Sequence, residues 1–441
     1  MKNFILLIIL LTVLHSYGQA YEEQNKLWSL EECINYAIEH NITVKNAELT
    51  KNSSELNYAQ SKSSRLPSLT GSASQNLSFG TTIDNITSDY VSQTTNSTNL
   101  GLSSSIMLYN GNQVNNQVKQ DKLVVDQSTL YIKESKNSII LNVLESYIQA
   151  LYTKENIMIA LRNLESSEKE LEQAKARLDA GTIPMVDYTD AQSQAATNRY
   201  NLITAKNNYQ QQLLVLKQLL ELPPEQSFEI DTIKNYTESL LIQDKLEIYQ
   251  KALEVLPEIE ATKVGVDISK KDLEIAKGGF LPSLSLTGSL GSGYTDVQDM
   301  NFSDQLDFNF NQRVGLSLSI PIFNRNQTKT QVENAKINIR KAELQLETTK
   351  KELYQKIETA WQNAISSQEQ LLASKSARDA AEESYKLAQK KYELNALSTT
   401  DLVVSQNTYT NTEINYLQAK YLNILYSQLL QFYQGNSIKI D

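Results

Sequence analysis

Few side chains in this sequence are equipped for acid–base or covalent chemistry. The 441 residues include two histidines, His15 and His40, and one cysteine, Cys33. A zinc site draws three or four ligands from Cys, His and carboxylates at short spacings, and no such cluster is present. A Ser-His-Asp set would need His40, which lies in an amphipathic stretch and reads as a surface residue. Gly288, Gly291 and Gly293 invite a phosphate-loop reading, but they sit in a strand pattern with no following helix and no Gly-Lys-Ser/Thr. The sequence therefore reads as a non-enzyme that needs neither metal nor cofactor. The formal net charge of −10, without any dense Lys/Arg run, excludes a nucleic-acid surface. Asp187 and Asp401 remain conspicuous because each follows a break between long helical patterns. There a carboxylate is favoured by the helix dipole.

The elements that position these residues begin after a secretory signal. Lys2, the apolar run Phe4 to Leu14, and Ser16-Tyr17-Gly18 or Gly18-Gln19-Ala20 as cleavage site place a signal peptide at residues 1–20. That run is too short for a comfortable span, and nothing later approaches the ~18 consecutive apolar residues of a membrane helix. The reading is an exported chain without a transmembrane helix. Its single Cys33 can form no internal disulfide.

The chain repeats itself. Leu66-Pro67-Ser68-Leu69 recurs as Leu281-Pro282-Ser283-Leu284 at an offset of 215, and Tyr109-Asn110-Gly111-Asn112-Gln113 as Phe323-Asn324-Arg325-Asn326-Gln327 at 214. The latter spacing also places Asp187 on Asp401 and Gln192 on Gln406. Two tandem structural repeats follow, at 21–222 and 245–434, joined by a segment at 223–244 and ending in a tail at 435–441. Each has a first helical stretch (Leu30 to Ser64; Lys245 to Gly278), two strands, a very long helix and a shorter return helix.

The strands, expected near 66–80, 98–109, 282–294 and 313–322, alternate with period two. Val314, Leu316, Leu318, Ile320 and Ile322 are apolar, whereas Gly315, Ser317 and Ser319 are small or polar. One greasy face suits either a soluble sandwich or an outer-membrane barrel with its apolar side to lipid. The polar stretches Thr81 to Thr98 and Thr295 to Gln312 suit solvated loops. The helices, expected near 111–178, 185–222, 325–394 and 399–434, lack internal proline. Each longer one would extend about 100 Å at 1.5 Å per residue. Ile157, Leu164, Leu171 and Leu178 recur every seven residues, a coiled-coil signature.

Four strands cannot close a barrel, and lipid tolerates no open sheet edge. Three chains pooling four strands each give twelve, an even number within the known range, and a cyclic trimer closes head to tail. The expected architecture is thus mainly α, a trimeric 12-stranded β-barrel continuing into a long α-helical barrel.

Taken together, Trp28-Ser29-Leu30-Glu31-Glu32-Cys33, Pro257-Glu258-Ile259 leading to Phe280-Leu281-Pro282-Ser283-Leu284, and the turns Ala180 to Asp187 and Asn395 to Asp401 resemble the TolC family of outer-membrane efflux proteins. The likeness covers nearly the whole mature chain. It implies a homotrimer in outer-membrane lipid that extends into the periplasm. Such a trimer passively exports drugs or other small molecules, driven by an inner-membrane pump of RND or ABC type through a periplasmic adaptor. A channel for type I protein secretion is the alternative of the same class, and a periplasmic coiled-coil scaffold the alternative of another. The resemblance puts Asp401 on an aspartate ringing the closed periplasmic entrance, where a focused negative ring favours cations. Asp187 and Tyr392 fall on positions that link neighbouring hairpins. Asp190 takes, in the first repeat, the place of a second ring aspartate, where the second repeat has Val404. Leu397 stands where a family arginine is expected. The turn residues Gly181, Thr182, Ile183 and Pro184, with Asn395, Ala396, Leu397 and Ser398, are expected to touch the adaptor.

Overall fold

Ser29 opens the first helix, α1 (Leu30–His40). Its Oγ accepts the Glu32 N–H at 3.2 Å while Glu32 Oε2 accepts the Ser29 N–H at 3.0 Å, a reciprocal capping box. The computed structural model describes residues 27–83, 89–232, 243–394 and 396–438; the expected signal peptide and Asn395 lie outside them. Just before α1 runs a two-residue strand, β1 (Leu27–Trp28). Asn41, with ψ at 133°, ends α1 before α2 (Ile42–Ser63) begins. Next come β2 (Ser68–Ile83), β3 (Tyr90–Asn110), α3 (Gln113–Asp179), α4 (Met185–Leu219) and β4 (Glu229–Ile230). The second half runs α5 (Lys245–Val255), α6 (Pro257–Gly278), β5 (Ser283–Thr295), α7 (Phe302–Phe308), β6 (Asn311–Ser319), α8 (Gln327–Glu393) and α9 (Thr399–Tyr433).

The lengths match across the halves: α3 and α8 have 67 residues each, α4 and α9 have 35. The helical and sheet parts are as the sequence implied, with four differences of detail. Each expected first helical stretch is two helices, because Asn41 and Leu256 adopt extended ψ, the latter enforced by Pro257. Much of Thr81 to Thr98 is strand: Thr94, Thr95 and Thr98 pair across with Phe79, Ser78 and Gln75, which suits β-branched residues. Within the other expected loop, Asn301 accepts the Asp304 N–H at 2.9 Å and caps α7. Finally, β1 pairs in parallel with β4, a two-residue ladder in a segment read only as a connector.

The contacts divide the chain into two units. One holds the described residues up to Asn46, Lys133–Leu256 and those from Lys351 onward. Its core includes Leu144, Leu151, Leu216, Leu220 and Ile230, all fully buried. The Tyr147 hydroxyl lies 3.0 Å from the carbonyls of both Trp28 and Asp231, and Lys154 Nζ donates to the Ile230 carbonyl at 2.6 Å. These bonds satisfy the ends of the short ladder that its own two residues cannot. Cys33 is buried here, and its thiol is pushed up to about 12, chiefly by burial and then by the Glu32 charge. A thiol so raised is not ionised near pH 8. Maleimide is expected to leave the folded protein unlabelled at that pH and to label it once denatured, as mass spectrometry would show.

The second unit holds Ala47–Ile132 and Pro257–Lys350. Its helices pack through polar side chains: Gln113, Gln120 and Gln127, spaced by seven, donate to the α6 carbonyls of Ile275, Ile268 and Ala261 at 3.1, 3.3 and 2.9 Å. Amides bonded to a facing backbone let Gln-rich helices associate without a greasy seam. The same unit carries the antiparallel sheet, ordered β2-β3-β5-β6. Among the described residues no helix is long and apolar enough to cross a membrane.

Candidate functional site: a bare apolar sheet face and two hairpin tips

Pairing register sorts the sheet into two unlike faces. Leu286 lies between Leu316 and Ile106, Leu284 opposite Leu318, and Leu290 opposite Leu102. Leu102 and Leu100 face Gly71 and Ala73 in turn. The other face joins Ser285 with Ser317, Thr287 with Gly315 and Ser105, and Ser289 with Arg313 and Ser103. Arg313 is the one charged residue of the four strands. The apolar face is bare: Val314 is 80% exposed, Leu316 66% and Phe79 74%. An uncovered apolar surface of this extent marks an interface with something apolar. Aromatic residues lie exposed at both ends of the band, Phe280 and Phe323 at one, Tyr90, Phe308 and Phe310 at the other. The edges, β2 and β6, each have one unpaired side within the sheet.

The other unit carries two hairpin tips. After α3, Gly181 takes φ +70°. Its N–H then reaches the Leu178 carbonyl at 2.8 Å and the Thr182 N–H reaches Arg177 at 2.9 Å, the paired bonds of a Schellman cap. At the second tip the Ala396 N–H reaches Lys391 at 2.8 Å. The return helices start differently. Pro184 gives α4 no side-chain cap. At α9, Ser398 Oγ accepts the Asp401 N–H at 3.2 Å and lies 2.8 Å from Asp401 Oδ2.

Behind the second tip Tyr385, Ala388, Tyr392 and Leu402 form a small core, with Leu397 and Tyr409 against it. Arg177 crosses to it from the first hairpin: its guanidinium lies 4.7 Å from the Tyr392 ring centre and donates twice, at 3.2 Å, to the Tyr392 carbonyl. Farther up, Ser166 Oγ, Tyr385 Oη and Glu170 Oε1 form a triangle joining α3 to α8. Burial raises the Glu170 carboxyl above its ordinary value, against the lowering effect of those two hydroxyls.

The model of the outer membrane efflux protein family matches residues 33–221 and again 248–435. The chain belongs to this family. It is similar to outer membrane efflux protein BepC of Brucella suis, 22% identical over 83% of this chain and 76% of that protein. Outer membrane protein TolC of Escherichia coli is 24% identical over 70% of this chain and 63% of its own length, so that match spans less than two thirds of the relative. Among solved structures, the Campylobacter jejuni CmeC outer membrane channel superposes with a TM-score of 0.80 at 19% identity, over 95% of this chain and 87% of that one. At that identity the likeness is one of fold.

As an outer membrane efflux protein the chain resides in the outer membrane, as its resemblance implied. The residues expected at a periplasmic gate take distinct places. Tyr392 is buried and Asp401 is exposed, held within its own helix turn to Ser398. Asp187 and Asp190 are half-buried in the first turns of α4. Among the described residues no hydrogen bond joins Asp187 or Asp401 to Tyr392, whose hydroxyl is buried without a partner. Of the expected adaptor-contact residues, Gly181, Thr182, Pro184, Ala396 and Ser398 are exposed, while Ile183 and Leu397 are half-buried. Leu397, where the family arginine was expected, packs on the tip core, and the cation reaching that core is Arg177. Sequence reading treated Arg177 only as a landmark of the repeat. A partner 215 positions away leaves no local signal.

Proposed function

We propose that three copies of this chain assemble a passive exit duct through the outer membrane and into the periplasm. The bare apolar sheet face carries the proposal. From Ser283 to Tyr294 a strand covers about 36 Å, which at a barrel strand's ~40° tilt spans about 28 Å. The apolar band of an outer-membrane barrel is ~25 Å tall and flanked by aromatics, which matches the Phe280 and Phe323 end and the Tyr90, Phe308 and Phe310 end. In an all-antiparallel order β2-β3-β5-β6, the β6 edge of one copy can pair antiparallel with β2 of the next. Twelve strands then close with no edge left to lipid. The hydroxyl face lines the lumen, and the long hairpins continue it as a helical tunnel. Matched helix lengths in the two halves support a duplicated origin.

In this reading the tips are the closed entrance. Asp401 from three copies forms a negative ring favouring cations, and Asp187, Asp190 and Tyr392 belong to its wall. Gly181 to Pro184 and Asn395 to Ser398 meet a periplasmic adaptor, which couples the duct to an inner-membrane pump. Drugs or other small molecules are the cargo. The protein is expected to fractionate with outer membranes as a heat-modifiable trimer and to conduct in planar bilayers; a scaffold would purify without detergent and conduct nothing. Asp401→Ala is expected to raise conductance at low voltage or reduce cation preference. Unchanged single-channel behaviour would remove Asp401 from the gate.

A further inference from the structure

The sheet's apolar face carries a feature that a plain lipid-facing wall does not require. The loop between β5 and β6 folds back over that face instead of projecting from the sheet's end. Three contacts place it there. Ser292, in line with Leu290 and opposite Leu100, donates its hydroxyl to the Leu306 carbonyl of α7. The Tyr294 ring, on the same face two residues on, lies 5.2 Å from Phe302. Asn309 Nδ2 donates to the Gly293 carbonyl at 2.8 Å, which carries the β5–β6 register onward and sets Phe310 and Phe308 in the apolar row. The loop is rigidly built: the fully buried Gln305 amide donates to the carbonyls of Thr295, Gln298 and Met300 and accepts the Thr295 N–H.

Below this loop lies a hollow of about 520 Å³, floored by Gly71, Ala73, Leu100, Leu102 and Leu290 and walled by Phe310. Its depth comes from missing side chains, since a Cβ on Gly71 would approach nothing closer than 3.9 Å. Nothing polar lines it beyond backbone and the Ser72 and Ser292 hydroxyls. Phe308 and Phe310 stand exposed beside it at 71% and 55%. The outer side of α7 carries Ser303, Asp304 and Asp307, all exposed. Carboxylates on that side hold the helix at headgroup level, while the phenyl rings lie toward the acyl chains.

We propose that this hollow, with Phe308 and Phe310 beside it, seats an acyl chain of an outer-leaflet lipid. The proposal rests on the reading of the apolar face as lipid-facing. The hollow is continuous with that face, and its floor is drawn from β2, β3 and β5, within the sheet and away from the β6 edge that would meet a second copy. A volume of this size is within the ~300–1,000 Å³ range of ligand pockets. A second protein copy seated on the hollow is the alternative that the experiment separates.

The test places single tryptophans in the full-length protein, reconstituted in vesicles of phosphatidylcholine brominated near the headgroup or deep in the chain. The native Trp28 and Trp361 lie outside the sheet and supply the background. Phe310→Trp and Phe308→Trp are expected to emit at short wavelength and to be quenched at least twofold more by shallow than by deep bromine. Val314→Trp, mid-band, is expected to show the reverse preference. Quenching of the Phe310 and Phe308 variants by aqueous acrylamide alone, or by neither agent, would overturn the lipid seat, the latter pointing to a protein cover. If Val314→Trp also escapes bromine, the lipid-facing reading itself fails, which distinguishes the two outcomes. Phe308→Trp stands in should Phe310→Trp not assemble.

Discussion

Arginine at Val314 is expected to abolish the folded, membrane-embedded protein, whereas arginine at Ser317, three residues along the same strand, is expected to be tolerated. Val314 is 80% exposed on the apolar face. A charge on the lipid side near the bilayer midplane costs about 2–4 kcal/mol. Three copies raise that to about 6–12 kcal/mol, the scale of an entire domain's stability. Ser317 pairs with Ser285 on the hydroxyl face, which already carries Arg313. The two substitutions add the same side chain to one strand and differ only in the medium it meets. The readout is heat-modifiable trimer recovered from outer membranes. A Val314→Arg trimer at wild-type yield, or equal damage from Ser317→Arg, would sink the assignment of the faces.

That contrast was legible in the sequence because alternation is a local property. Val314-Gly315-Leu316-Ser317-Leu318-Ser319 shows two faces to anyone counting by twos, and the register confirms which residues share each. The long helices were legible for a related reason, since they run without proline between breaks, and α3 and α8 end within a residue or so of where the pattern stops. The rest depended on partners far away in the chain. The β1–β4 ladder is two residues long and owes its existence to Tyr147 and Lys154, more than a hundred and about seventy residues away in turn from the carbonyls they hold at Trp28 and Ile230. α7 lies in a stretch whose polarity reads as loop, because its organising residue, Gln305, bonds to backbone groups on either side that no pattern announces. Pro257 is the one break that was visible in advance, and it was passed over within a longer helical stretch. At the tips, turn chemistry was readable from Gly181, but the cation on Tyr392 was not, because Arg177 belongs to the other hairpin.

Replacing Gln406 with leucine is expected to tighten the second tip by about 2 kcal/mol, the midpoint of the ~1–3 kcal/mol that an unsatisfied buried polar group costs. Gln406 is 1% exposed, and neither atom of its amide has a hydrogen-bond partner among the described residues. It lies on the α9 face shared by Leu402 four residues before and Tyr409 three residues after. The Tyr409 ring in turn stacks on Tyr385 at 5.8 Å. Leucine fills a similar volume, so the substitution removes the desolvated amide without opening a cavity. The Tyr392 hydroxyl is buried and unpartnered in the same core, and burial raises Glu170 nearby on α3. Three polar groups held away from water leave this packing less favourable than an apolar core of equal size. Segments that move in function are drawn from the low-stability end of a structure, and a gate that must open and reclose needs a closed state of this kind. A gain of 2 kcal/mol lowers the opening constant about 30-fold. Hydrogen exchange of backbone amides from Tyr385 to Tyr409 is therefore expected to slow by that factor in Gln406→Leu, with helix ends near Ile424 unchanged. Exchange as fast as wild type would show that the amide is already compensated and that closure does not rest on it. If the tips gate the duct, the slowed variant also transports less.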